Sequence, residues 1–327
     1  MFGSVEVEDF AQKTLSLLSL AIAIIVIVVN PISASFFWVP RRERRIRNDG
    51  RSRFLRQASS PSRSLDELVE LGWTIPDGAS LFDLGCGSGI ATEVVLERFG
   101  TVAEVVLSDH SALAAEYAAT RLRARFPECR FRPTTEWAIP AGSVVLISHV
   151  LTELGREDLC PLAEQLQHSQ AVLVVEPGTR SASAQVVALR EMLRWHFTIV
   201  APCPHQQRCG MLAVGNRQHW CHFHLRPPLV AFTDRQWVRF ADAFGLDIGD
   251  LAVSMLVVDR QWNAPPAGQE RIIGTADVGQ QDIVLTLCTA DGSISQRCID
   301  RQRHREQYRR FRKRLPRWFD QKQPGRR

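Results

Sequence analysis

SLFDLGCGSGI, residues 80–90, runs from an apolar tetrad holding one carboxylate, Asp83, into three glycines at alternate positions, Gly85, Gly87 and Gly89. Ser80 to Leu84 predicts a buried strand and Ile90 to Phe99 a helix closed by Gly100, so the glycines occupy a strand-to-helix turn. Glycine suits that turn because its dihedrals are unusual for other residues and because a ligand must come close to the backbone. Asp109 stands twenty residues beyond Gly89, at the end of the next apolar run, Ala103 to Leu107. A carboxylate there can accept hydrogen bonds from both hydroxyls of a ribose. The stretch therefore points to a nucleotide-binding crevice.

Outward from this turn, strand and helix alternate. Ser64 with Glu67 resembles a capping box that opens a short helix through Leu71. Ser111 to Phe126 reads as helix. Val144 to Ser148 and Ala171 to Val175 read as strands buried on both faces, with Asp158 to Gln167 helical between them. This order predicts an α/β fold, a doubly wound parallel sheet with right-handed crossovers. After Trp195 the texture changes, as Pro, His and Cys become common and helical periodicity weakens.

The pattern Asp83-x-Gly85-x-Gly87-x-Gly89 resembles the first motif of class I S-adenosylmethionine methyltransferases, a Rossmann-like fold. A dinucleotide fingerprint would place its third glycine one residue later, where this chain has Ile90. The resemblance implies S-adenosylmethionine as cofactor, with Gly85, Gly87 and Gly89 admitting it, Asp109 holding its ribose and Asp83 near its methionine end. Glu136 and Trp137 are placed to flank an adenine or simply to pack. SHVLTEL, residues 148–154, ends a strand where this fold usually sets substrate-facing groups. His149 and Glu153 are candidates for acid-base work there, against the plainer reading of a packed histidine and a helix-start carboxylate. No catalytic residue is assigned.

Hydrophobic content of 45% and charged content of 23% are those of an ordinary globular chain. The net charge of +5 is unevenly placed. Residues 301–327 carry +10 and residues 41–56 carry +6, which leaves −11 on the remainder. Two basic appendages on an acidic body point to a polyanionic partner, nucleic acid or an anionic membrane face. In residues 301–318, arginines interleaved with Gln, Tyr308, Phe311 and Trp318 suit an RNA backbone with bases to stack on. No charge lies between Lys13 and Arg41, so residues 14–40 are either a membrane anchor or a buried helix. Acidic residues precede that run and arginines follow it, the reverse of a signal peptide. The positive-inside tendency keeps the body cytoplasmic, membrane-associated at most through residues 14–40.

Of eight cysteines, Cys203, Cys209, Cys221 and Cys288 follow the nucleotide fold in a His-rich context, with five, eleven and sixty-six residues between them. Four thiolates can close a tetrahedral zinc site or hold an iron-sulfur cube. His205, His219, His222 and His224 can replace a thiolate at zinc, and buried inert cysteines are the alternative.

LGCGSG (84–89), LTEL (151–154), VEPGT (175–179), APCPH (201–205), WCHF (220–223), Tyr308-Arg309 and RWFD (317–320) occur in that order. Together they resemble the methyltransferase-like family associated with the mitochondrial small ribosomal subunit, with its bacterial relatives. The resemblance runs from about Leu81 to Asp320 and implies a small-subunit assembly factor that binds rRNA. It further implies a [4Fe–4S] site on Cys203, Cys209, Cys221 and Cys288, with Cys298 the competitor for fourth ligand and zinc the alternative metal. Where the family usually has a proline after the second of these cysteines, this chain has Gly210. The expected organisation is an apolar segment (1–40), a basic linker (41–64), a donor-binding domain (65–200), a Cys/His-rich metal module (201–300) and a basic RNA-binding tail (301–327). The expected function is a methyltransferase-like protein of small-subunit assembly and translation. A non-catalytic RNA-binding scaffold and a membrane-anchored small-molecule methyltransferase are the alternatives.

Overall fold

A computed structural model describes residues 64–225, 235, 239, 251–263, 269–313, 315, 318 and 319. The apolar segment and basic run before Ser64 lie outside the described residues. Among the described residues, no helix is long and apolar enough to cross a membrane.

The apolar runs become the centre of an eight-stranded sheet. β1 (Leu81–Leu84), β2 (Glu104–Ser108), β3 (Arg130–Thr134), β4 (Val144–Ser148) and β5 (Ala171–Pro177) pair in parallel. The spatial order is β3-β2-β1-β4-β5-β8-β6, where β6 is Thr198–Ala201 and β8 is Leu251–Asp259. β8 runs antiparallel to both its neighbours, and β7 (Phe223–Leu225) pairs with it. The sheet is therefore mixed, which corrects the all-parallel expectation. A fully engaged strand of the main sheet is thus supplied by residues 251–259, beyond residue 200. Alternation of strand and helix stops before β8, so sequence order gives no sign that it returns to the sheet.

Helices accompany the strands: α1 (Ser64–Glu70), α2 (Ile90–Phe99), α3 (Ala112–Arg125), α4 (Leu159–Leu166) and α5 (Arg180–Leu193). Their ends carry the expected chemistry. Ser111 Oγ accepts from the Ala114 amide and Thr179 Oγ1 from the Ala182 amide, capping α3 and α5. Gly100, at φ 91°, closes α2 with its amide on the Leu96 carbonyl. Strand alternation divides the core between two faces, Leu81, Leu107 and Leu146 on one and Phe82, Leu84 and Ile147 on the other. Each such side chain, fully buried, is worth roughly 1.5–3 kcal/mol.

A second sheet follows, antiparallel, in the order β11-β10-β9-β12. Its strands are β9 (Glu270–Val278), β10 (Asp282–Cys288), β11 (Ile294–Asp300) and β12 (Trp318–Phe319). α6 (Arg305–Lys313) packs Tyr308 and Phe311 onto Ile283, Leu285 and Ile299 of this sheet. The Tyr308 hydroxyl donates to the Gly279 and Gln280 carbonyls at 2.9 and 3.1 Å. Both aromatics are buried, so neither is available to stack on a base, which corrects that part of the reading of the basic tail. Arg305 and Arg309 remain exposed on the helix.

A buried ion pair ties the second sheet to helix α1, and buried hydrogen bonds anchor the end of β8. Arg271 of β9 holds the Glu67 carboxylate through both terminal guanidinium nitrogens, one at 2.8 Å. Glu67, expected to serve a capping box, thus spends its carboxylate on a buried ion pair with the second sheet. Asp259 at the end of β8 accepts from the Trp73 indole at 2.8 Å and from Gln170 at 3.0 Å.

Candidate functional site

The glycine turn lies between the carboxyl ends of β1 and β2. Each glycine has positive φ, yet the three serve different ends. A Cβ on Gly85 would lie 2.4 Å from Val150 Cγ2, and one on Gly89 would lie 2.9 Å from both Ala118 and Leu122 side chains. These two are required by packing against the turn after β4 and against α3. A Cβ on Gly87 would meet nothing within 4 Å. Of the three, only the middle glycine faces open space.

Asp109 ties this turn to β2. Its Oδ2 accepts the Gly87 amide at 2.9 Å and its Oδ1 the Ser111 amide at 2.9 Å. Oδ1 also lies 3.3 Å from His110 Nδ1, while Oδ2 keeps a second lone pair, so these contacts orient the carboxylate without exhausting it. Ser108 Oγ donates to the Glu136 carbonyl at 2.8 Å, which holds the loop carrying half-exposed Trp137 beside the end of β2.

Asp83 is completely buried on β1. Its Oδ2 accepts from Thr92 Oγ1 at 2.6 Å, and its Oδ1 has no hydrogen-bond partner. Burial pushes its pKa up to about 7, with Asp109 adding repulsion and Thr92 opposing. A buried carboxylate half short of partners suits a cationic group, such as the ammonium of a methionine moiety. Burial, with Asp83 and Asp109 adding to it, pushes the Cys86 thiol far up, so it is no nucleophile.

The turn after β4 completes the crevice. His149 is buried, has φ 61°, and its Nε2 has no hydrogen-bond partner. Glu176, wholly buried at the end of β5, accepts the Val150 and Leu151 amides on one oxygen at 2.9 and 2.8 Å. Burial lifts Glu176 to about 7 despite those bonds. Sequence reading named His149 and Glu153 but missed Glu176; the acidic residue in VEPGT, inside an apolar run, was the available signal. Glu153 lies at the rim, within electrostatic reach of His110 and Asp109, and partial burial holds it above the ordinary carboxylate range.

The cysteines gather at the far end of α5. Cys203, Cys209 and Cys221 line a cavity of about 20 Å³ together with Arg190 and Met255. Cys288 on β10 is buried and feels the charge of all three. Arg190 donates from Nε to Cys203 Sγ at 3.2 Å and from a terminal nitrogen to the Gln207 carbonyl at 2.9 Å. Burial opposes the charge of Arg190, but neighbouring Cys203, Cys209 and Glu191 outweigh it and hold its pKa above the ordinary value. Burial, then Cys203, lifts Cys209 to about 11, and the same two causes push Cys221 and Cys288 higher. His205 Nε2 lies 3.3 Å from Cys288 Sγ, and burial plus Arg190 hold it near pKa 4. Cys298 is exposed, with its thiol on Asp282 at 3.6 Å. Gly210 has a reason of its own: a Cβ there would lie 2.4 Å from the Gly292 carbonyl oxygen. No group of three or more His, Cys, Asp or Glu among the described residues stands in a metal-holding arrangement.

A family model described as mitochondrial small ribosomal subunit Rsm22 matches residues 62–322. Trans-aconitate 2-methyltransferase of Sinorhizobium medicae is 32% identical over 131 residues, which are 39% of this chain and 44% of that enzyme. The chain thus spans less than half the length of that curated relative. A putative RNA methyltransferase from Pyrococcus horikoshii aligns at 14% identity and TM-score 0.37, over 63% of this chain and 88% of that one. A geranyl diphosphate methyltransferase in complex with S-adenosylmethionine aligns at 16% identity and TM-score 0.35, over 61% and 85%. The sheet order and the glycine turn are those of a Rossmann-like class I methyltransferase fold with a mixed central sheet.

Proposed function

The chain belongs to the mitochondrial small ribosomal subunit Rsm22 family, and on that premise we propose that it binds S-adenosylmethionine and acts as a methyltransferase-like protein on small-subunit rRNA. The observation that carries this reading is the open face of Gly87 beside the oriented carboxylate of Asp109 and the half-partnered carboxylate of Asp83. Gly87 admits the donor, Asp109 takes its ribose hydroxyls, and Asp83 lies nearest its ammonium. Gly85 and Gly89 shape the turn. Exposed Arg305 and Arg309 on α6 supply cationic contacts for the RNA backbone.

The thiols belong to the same reading. Cys203, Cys209 and Cys221 offer three sulfurs and no carboxylate around one buried cavity, and Cys288 lies within electrostatic reach of all three, a donor set that fits a soft or borderline metal. These four would hold a [4Fe–4S] cluster, or zinc, as a structural link between the two sheets. Arg190 would offset part of the thiolate charge. Cys298, exposed with its thiol toward Asp282, is left out of this proposed set.

Calorimetry of the full chain with S-adenosylmethionine tests the first part: binding is expected, and Gly87→Arg is expected to abolish it while the circular dichroism spectrum persists. A well-folded wild type that gives no heat leaves only a scaffold. Iron, sulfide and zinc analysis of anaerobically purified protein tests the second part. About four irons with visible absorption mark the cube, stoichiometric zinc the alternative, and a folded metal-free sample removes both.

A further inference from the structure

We infer that Arg190 and His205 set the redox balance of the cluster held by the cysteines: each gives an N–H to a ligand sulfur, and together they raise the reduction potential of a [4Fe–4S] cube. This inference rests on the cluster reading above and adds what tunes it.

The donors are read from the geometry. Arg190 is 2% exposed and lines the same cavity as Cys203, Cys209 and Cys221. Its Nε lies 3.2 Å from Cys203 Sγ, and a guanidinium can only donate, so the sulfur accepts. The terminal nitrogens are engaged elsewhere, one on Glu191 and the other on the Gln207 carbonyl at 2.9 Å, which fixes the fork with Nε toward the sulfur.

The nitrogen that serves Gln207 also lies 3.5 Å from His205 Nδ1 and 3.5 Å from the His205 carbonyl. Facing a group that has only protons to give, Nδ1 accepts, so the proton of the neutral ring sits on Nε2. Nε2 lies 3.3 Å from Cys288 Sγ, and its N–H is a second donor on a second sulfur. The ring is buried and confined by the turn after β10, where a Cβ on Gly292 would lie 3.0 Å from His205 Cε1. A relay of donors thus runs from α5 through His205 to β10, serving Cys203 and Cys288.

One-electron reduction adds negative charge to a site that four thiolates already make anionic. An N–H on a sulfur stabilises that added charge, the more so when it comes from a buried cation in a low-dielectric interior. Hydrogen bonds to the sulfurs are among the levers that set cluster potentials, and here Arg190 and His205 supply them.

The test is a potentiometric titration with dithionite, followed by electron paramagnetic resonance, on the anaerobically purified full chain with its iron counted. His205→Leu removes the donor from Cys288, whereas His205→Gln keeps an amide N–H at similar reach. Leu is expected to lower the reduced-to-oxidised ratio at the wild-type midpoint about tenfold, a fall of about 59 mV for one electron. About four irons are expected to remain. Gln is expected to stay within threefold of wild type. Arg190→Lys keeps the charge but loses the fork that serves sulfur and ring at once, and is expected to lower the ratio threefold or more. A Leu or Lys variant within twofold of wild type overturns the inference, as does a Gln variant that falls as far as Leu. Loss of iron from His205→Leu makes the ring a support of the cluster and overturns it too. Wild type that holds the irons but resists dithionite overturns this inference alone, whereas zinc or a folded metal-free wild type overturns the reading beneath it.

Discussion

The donor turn and the thiol cluster solve opposite problems with buried polar groups. On β1 and after β4, around the donor turn, polar atoms are left short of partners: Asp83 Oδ1 and His149 Nε2 are buried and unbonded. Around the thiols, Arg190 is bonded to a sulfur and to carbonyls and is paired with Glu191. Buried groups without partners cost stability and point to a reactant that completes them. Buried groups with full sets of partners hold chain segments together. One region is arranged for transactions with a ligand, the other for cohesion.

The largest effect that would break this contrast is expected in the cohesive region. Arg190→Met removes a buried donor from Cys203, from two carbonyls and from Glu191, which keeps Arg194 and the Cys209 amide, and is expected to cost about 3–5 kcal/mol in urea denaturation. A loss below 1 kcal/mol would mean that the arginine bonds are incidental. In the other region, Gly85→Ala drives a methyl group into Val150 at positive φ and is expected to cost about 2–4 kcal/mol. Gly87→Ala, with open space around it, is expected to cost only about 1–2 kcal/mol while weakening donor binding more than Gly85→Ala does per unit of lost stability.

A smaller effect, read by pH, sharpens the contrast. Asp83 and Glu176 both stand near pKa 7, above their ordinary values of 3.8 and 4.5. Between about pH 4 and 7 the folded state therefore holds protons that the unfolded state has released, so stability falls as pH rises and levels off above 7. Asp83→Asn and Glu176→Gln are each expected to flatten that slope, measured by denaturation from pH 4.5 to 8. A slope unchanged in both variants would place its origin elsewhere. The smallest effect belongs to Cys298→Ser, expected within about 0.5 kcal/mol of wild type and without change in metal content. Cys288→Ser, by contrast, is expected to lose the metal.

The donor turn was legible because it is local. Asp83 to Gly89 is one unbroken stretch, and helix Ile90–Phe99 and strand Val144–Ser148 end where their apolar runs and cap residues end. The distinct duties of the three glycines were not legible, since they depend on Val150, Ala118 and Leu122, which lie 29–65 residues away. The antiparallel return of β8 was hidden for the same reason. Tyr308 and Phe311 were read as base-stacking because the charge around them dominates the composition. Their spacing of three residues also sets a buried helix face, and the second sheet takes it.

The antiparallel β8 gives synthesis a direction. As the chain emerges from its amino end, β5 and β6 appear with a vacant lane between them, and Cys203, Cys209 and Cys221 follow while that lane is still open. Only when residues 251–259 slot in is the exposed edge of β5 sealed, and Cys288 has not yet been made. A half-made chain is thus a three-thiol intermediate with its main sheet already closed, waiting for the last sulfur to arrive on a separate sheet.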